Sequence, residues 1–270
     1  MYSGTTFRTK SGRMMGVHQK IDRVARRHVS KIVPDGMTFP TAHEILHFEG
    51  LHGPDGIKRK SPAVDEPWHY VDPNNPDDRE IVVMINEHIQ NLASALRENN
   101  TVRAAFEAAW MAHAIVDGLT PAHHYPLEAK LEELRNGEGL ETRTTTKAKI
   151  LLPGQTRRIQ LRNNWEFWGA KGVMTTHLAF ELGVATNIAP LRFEGCVPTE
   201  DDMARVKKDG YEPLFLEILG NIADMKMYEE FGRLGWTRHL ANETKNTLIP
   251  EIVRAVMMGW YQAMVLAEKK

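Results

Sequence analysis

The sequence predicts an all-α protein, a multi-helix single domain over 1–270 with one β-hairpin-like insertion at about 138–170. Three observations carry this reading. Apolar residues recur at three- and four-residue spacing along most of the 270 positions, capping residues stand ahead of several of those runs, and only one stretch alternates as a strand would. A 42% apolar composition at this length is enough for a full core.

Taken in order, Met14, Val17, Ile21, Val24 and Val29 predict a first helix over about 12–32, with His18 on or beside its apolar face. From Pro34 to Asp78 the pattern breaks at Pro40, at Gly53-Pro54-Asp55-Gly56, at Pro67 and at Asp72-Pro73. This stretch reads as a long ordered loop or a set of turns, its aromatic residues Phe48, Trp68 and Tyr70 favouring order. Ile81, Ile85, Ile89 and Leu92 form one stripe of a helix over 79–98, and Thr101 is expected to cap the next, over 102–118. Between Arg143 and Arg162, β-branched and basic residues alternate around Pro153-Gly154, which predicts a basic hairpin. Helical spacing returns over 173–186. Thr199 followed by Asp202 makes a capping box opening one or two helices to Phe231, and 247–266 closes the chain with another.

Charge and cysteine content narrow the classes. With 34 Lys+Arg against 35 Asp+Glu, no global field draws the chain to nucleic acid or an anionic membrane, so any basic surface must be local. The single cysteine, Cys196, excludes an internal disulfide framework, and no run approaches the roughly 20 apolar residues of a membrane helix. The polar start from Met1 to Lys10 lacks a signal-peptide pattern, so the expectation is a soluble cytoplasmic protein with no transmembrane segment.

Histidine is the unusual part of the composition, with twelve residues. A histidine four positions before a carboxylate places both on one helix face, close enough to share a metal ion. Chance gives about 1.6 such pairs in this composition. There are five: His18/Asp22, His113/Asp117, His124/Glu128, His177/Glu181 and His239/Glu243. Two stand out by context. His113/Asp117 ends an apolar helix and runs into Gly118-Leu119-Thr120-Pro121-Ala122-His123, whereas His177/Glu181 sits among Val173, Met174, Leu178, Phe180 and Leu182, where an unpaired charge would be costly to bury.

In this order and spacing the chain resembles the zinc-dependent phospholipases C and, more distantly, the zinc single-strand nucleases that share their fold. That family carries a His-x-x-x-Asp pair, a histidine six residues after the Asp, and a His-x-x-x-Glu pair, matched by His113, Asp117, His123, His177 and Glu181. Upstream it has a helical histidine near the N-terminus, an Asp, and fourteen residues on a histidine before an aromatic turn with Asp-Pro. Those positions are His18, Asp55 and His69, the last within Trp68-His69-Tyr70-Val71-Asp72-Pro73.

The resemblance implies one zinc held by Asp55, His69, His113 and Asp117 and a second by His123, His177 and Glu181. Asp117 would reach toward a third zinc that His18 helps bind. The sequence also departs from the family. Its secreted members use the amine and carbonyl of an N-terminal tryptophan for the third metal, and no tryptophan precedes Trp68, so two zinc ions are expected and the third is left open. Gly56 and Glu66 stand where choline-specific members carry aromatics, and 53 residues separate His123 from His177 where the family has a short gap.

The expected function is hydrolysis of a phosphate ester, a phosphodiester or phosphomonoester, with Asp55 doubling as ligand and general base as the resemblance suggests. The expected partner is a small phosphorylated substrate or a phospholipid head group. Arg157 and Arg158, with Trp165 and Trp168 after them, are expected to gather that substrate, or else to form a solvated edge protected by charge. A nuclease acting on single strands, a non-catalytic zinc-stabilised protein and a metal-free interaction module are the alternatives. His43, His47 and His52 are expected to line the loop or the surface, His124 to pair with Glu128, and His28, His88 and His239 to pack or face solvent.

Overall fold

The computed structural model describes residues 1, 16–56, 70–139 and 142–268. Among them the chain is helical, with no β-strand. Helix α1 (Val17–Val29) follows Gly16 and is succeeded by α2 (Ala42–His47), whose start is a complete capping box between Thr41 and Glu44. A 3-10 turn (Gly50–His52) then leads into the segment carrying Asp55. Trp68 and His69 lie outside the described residues.

Helices α3 (Glu80–Arg97) and α4 (Thr101–Gly118) form the centre of the body. Thr101 is the first helical residue and not the cap. That role falls to Asn100, whose side chain accepts a hydrogen bond from the Arg103 amide at 3.1 Å. Asn99 makes the turn between them at φ 54°, a left-handed conformation that asparagine tolerates better than most residues. After α4, a 3-10 turn (Pro121–His124) and α5 (Leu127–Leu134) lead to the basic stretch.

That stretch is not a hairpin. It forms α6 (Thr146–Ile150) and α7 (Arg157–Trp168), and two of the β-branched residues read as strand formers, Thr145 and Thr156, are helix caps. Thr145 accepts from the Ala148 amide at 3.1 Å and Thr156 from the Ile159 amide at 3.2 Å, which satisfies donors that helix starts leave open. Asn164 then pairs with both backbone groups of Leu152, and Asn163 donates to the carbonyls of Leu134 and Pro153. Side-chain amides thus hold the connection that a strand ladder was expected to hold.

The remaining helices are α8 (Val173–Ile188), α9 (Glu200–Asp209), α10 (Glu212–Asp224), α11 (Met227–Leu234), α12 (Arg238–Glu243) and α13 (Ile249–Glu268). The expected Thr199/Asp202 capping box is present, opening three helices in place of one or two. A π-helical turn over Thr244–Leu248 joins α12 to α13. Alanines of α4 (Ala104, Ala108, Ala112) present a thin surface that lets α3 and α13 approach closely, and the buried Trp260 of α13 donates its indole N–H to the Ala108 carbonyl at 2.9 Å. At Gly259 a Cβ would stand 3.0 Å from Ile115, so a bare Cα is what lets α13 settle there.

Two apolar cores result. The large one joins α1, α3, α4 and α13, and a small one gathers Leu127, Leu131 and Leu134 of α5 with Leu152 and Phe167. Tyr70, Val173 and Met174 pack against the small core. No helix among the described residues is long and apolar enough to cross a membrane.

Candidate metal centre

Four elements converge on one buried set of imidazoles and carboxylates. Helix α4 supplies His113 and Asp117 one turn apart, with His113 Nε2 3.2 Å from Asp117 Oδ2. The helix stops at Leu119, and Thr120, whose hydroxyl donates to the Val116 carbonyl at 2.6 Å, redirects the chain so that the 3-10 turn presents His123 inward. Helix α8 supplies His177 and Glu181, again one turn apart, and α1 supplies His18.

The ligand-type atoms fall into two buried clusters, His18/His113/Asp117 and His123/His177/Glu181, each with one candidate donor per residue within 4.8 Å of the others. In the first, the His18 and His113 rings stack at 4.1 Å and His18 Nε2 lies 3.3 Å from Asp117 Oδ1. In the second, His123 Nε2 and His177 Nε2 lie 3.1 and 3.0 Å from Glu181 Oε1. Asp117 links the two, since its Oδ1 is also 3.6 Å from His123 Nδ1. Asp55 reaches the first cluster from the side, its Oδ1 3.9 Å from His113 Nε2, and it is the more solvent-open carboxylate, with a side chain 29% exposed.

Sequence reasoning missed two participants. The first is Met1. Its ammonium lies 2.5 Å from Asp117 Oδ1 and 3.3 Å from Glu181 Oε1, and its carbonyl is 2.9 Å from His18 Nε2. Both groups are main-chain atoms, which carry no residue signature in the sequence. The second is Glu49, which is buried and faces the other side of the His113 ring, with Nδ1 3.1 Å from Oε1. Its Oε2 accepts from the Gly50 amide. It sits in an irregular turn, where no periodicity marks it.

The electrostatics follow from this crowding. Burial pushes the Asp117 and Glu181 carboxyls up, but the Met1 ammonium and the surrounding histidines outweigh it and hold both well below the usual carboxylate range. Burial also disfavours a charged His113, yet the Glu49 and Asp117 carboxylates raise its pKa well above the ordinary imidazole value. His123 goes the other way: burial and then the Met1 ammonium lower it to about 3, leaving the neutral imidazole that can donate a lone pair to a metal. Asp22 is raised by burial and by Glu49, and it joins the neighbourhood of Glu49 and His113 but neither of these clusters.

The donor set fits a divalent cation. Imidazole nitrogens and carboxylate oxygens in threes are zinc-type ligands, and buried carboxylates require a positive partner. Here the chain's own ammonium lies where such a charge is needed.

The other histidines divide as follows. His124 Nε2 bonds to the Gly118 carbonyl at 2.9 Å, closing the end of α4. His47 and His52 stack at 4.9 Å on the surface, and His43 is exposed. His28 packs against the Phe193 carbonyl, His88 pairs with the buried Glu107, and the exposed His239 lies with the half-buried Glu230 and Glu243 in a third cluster. Arg157, Arg158, Trp165 and Trp168 are exposed on α7.

The crystal structure of Clostridium perfringens alpha-toxin from avian strain SWCP is similar in fold, with a TM-score of 0.57 over 97% of this chain and 67% of that chain, at 10% sequence identity. No family model matches the sequence, and no curated protein sequence matches it.

Proposed function

We propose that this chain is a zinc-dependent hydrolase of phosphate esters, phospholipase C-like in its reaction, acting on a small phosphodiester or phosphomonoester or on a phospholipid head group. The observation that carries the reading is the pair of buried histidine/carboxylate clusters joined through Asp117. The fold likeness to the Clostridium perfringens alpha-toxin is consistent with it.

In this reading His113, Asp117, Asp55 and His69 hold one zinc and His123, His177 and Glu181 a second. A third would fall to His18, Asp117 and the main-chain atoms of Met1. Bound zinc neutralises a phosphate and lowers the pKa of water. The protein's own contribution is positional. Asp55 combines proximity to His113 with solvent access, so its carboxylate is placed to take the proton from the attacking water. Glu49 accepts a hydrogen bond from His113 Nδ1, which leaves Nε2 directed at Asp55 and Asp117. Tyr70, its ring 4.9 Å from His123 and 6.1 Å from His177, covers the second cluster and keeps bulk water off that side.

The test is the metal content of the purified protein by mass spectrometry, wild type beside His113→Ala, with hydrolysis of an aryl phosphodiester on the same samples. The expected result is about two or more zinc ions per chain in the wild type, with metal and activity falling together in the variant. A folded wild type without metal, or a variant of unchanged rate, overturns the reading.

A further inference from the structure

Helix α7 presents its apolar and basic residues to the wrong side for a core helix. At 3.6 residues per turn, Asn163 and Phe167 face the small core, while Leu161, Trp165 and Trp168 lie on the opposite arc. Leu161 and Trp165 are each 72% exposed. Arg157, Arg158 and Arg162 share that outward arc, and none of the three is in an ion pair among the described residues. The helix's only acidic residue, Glu166, sits at the flank and pairs with Lys130 at 2.5 Å. The arc therefore carries three uncompensated positive charges and no carboxylate of its own.

The patch is built to hold its shape. The Trp168 indole N–H donates to the Ile150 carbonyl at 2.7 Å, which fixes α6 beside α7 and sets the exposed Ile150 and Leu151 next to the tryptophan. The Trp165 ring lies over Gly169, where a Cβ would come within 3.0 Å of its carbons. Such an aliphatic and aromatic surface costs solvation free energy when left in water, and monomers seldom keep one without a partner.

We infer that the outward face of α6 and α7 docks on an anionic lipid bilayer. The tryptophans and aliphatic side chains would enter the interface between head groups and acyl chains, and the three arginines would pair with anionic head groups. Single-stranded nucleic acid fits less well: it calls for a basic groove with stacking rings, whereas this face is the convex side of a helix and Ile150, Leu151 and Leu161 cannot stack on bases. Helix α7 packs against α8, which carries His177 and Glu181, so docking would hold the buried clusters close to the lipid surface. The docking depends on this face alone and not on hydrolysis at the clusters.

Flotation of the full chain with vesicles tests it, comparing phosphatidylserine–phosphatidylcholine vesicles with pure phosphatidylcholine and with a fluorescent single-stranded oligonucleotide. The wild type is expected to float with the anionic vesicles and to be released by salt. Trp165→Ala should weaken that binding about tenfold, from the apolar surface it no longer buries. Arg158→Gln should weaken it about fivefold on anionic vesicles and leave the phosphatidylcholine signal unchanged. Leu161→Asp, at a position the fold does not bury, is a second variant expected to lose binding. A wild type that stays in solution with anionic vesicles, variants that float as the wild type does, or tighter retention of the oligonucleotide would each overturn the proposal. None of those outcomes bears on the metal content, so failure here is separable from failure of the hydrolase reading.

Discussion

His177 and His239 open the same four-residue motif, a histidine one helical turn ahead of a glutamate, in two regions with opposite surroundings. On α8 the His177–Glu181 separation is 3.0 Å and both side chains are more than nine-tenths buried; on α12 the His239–Glu243 separation is 3.6 Å and the imidazole is 66% exposed. Helical spacing alone sets the distance. Burial sets what the pair requires, because water screens the α12 pair while the α8 pair must be neutralised by protein groups or a metal. The inner pair has such company, in His123 and the Met1 ammonium, and Asp117 links its cluster to a second one.

The largest effect expected from this contrast is at Glu181. Glu181→Gln keeps the shape but removes the charge that His123, His177 and the Met1 ammonium face, and breaking a buried ion pair of this kind costs about 3–5 kcal/mol. Urea unfolding should show that loss, and the metal bound per chain should fall with it. A Glu181→Gln protein as stable as the wild type would mean that the inner cluster is not held together by charge compensation. Next in size is Glu49→Gln, which leaves the proposed ligands in place but weakens the acceptor that orients His113. Affinity measured against a competing chelator should drop about 10–100-fold, with the unfolding midpoint of the apo-protein changed less than by Glu181→Gln.

Much of this arrangement was legible in the sequence, and the gaps have physical causes. The stripe of Ile81, Ile85, Ile89 and Leu92 gave α3 because its apolar side faces the main core, the condition under which periodicity reports structure. Helix α7 inverts that condition, with Leu161 and Trp165 outward and Asn163 inward, so its pattern does not read as a core helix. Threonine added to the misreading, since Thr145 and Thr156 have the branched shape favoured in strands and the hydroxyl favoured at caps. At the centre, spacing on one helix found His113/Asp117 and His177/Glu181. It could not find Glu49, which meets His113 only through the tertiary fold, or Met1, which contributes main-chain atoms.

Asp202 is as buried as Glu181 but has a guanidinium that reaches solvent for its partner: its carboxylate joins the capping box of α9 and accepts from Arg254 at 2.8 Å. Burial raises its pKa, but Arg254 and the bonds from Thr199 outweigh burial and leave it below the ordinary 3.8. A carboxyl depressed in the folded state adds stability that is present above the unfolded pKa and is lost as pH falls through the folded value. Asp202→Asn should therefore cost about 1 kcal/mol at neutral pH, and it should flatten the decline in stability as the medium is taken from above pH 3.8 to below it. Unfolding curves at two pH values decide this: an unchanged decline would assign acid sensitivity to other carboxylates.

The smallest effect belongs to the outer copy of the motif. Glu243→Gln removes a carboxylate 3.6 Å from an imidazole that is already largely in water, while His239 keeps Glu230 at 3.3 Å, so the loss should stay under about 1 kcal/mol. Metal content should not change, because this cluster is only partly buried and its imidazole is 66% exposed, so water can screen its charges without a cation. The same measurement made on Glu181→Gln and Glu243→Gln therefore separates motif from environment. Equal losses of metal in the two variants would show that the spacing itself recruits the ion and that burial is incidental, whereas a loss confined to Glu181→Gln would place the requirement in the buried charge.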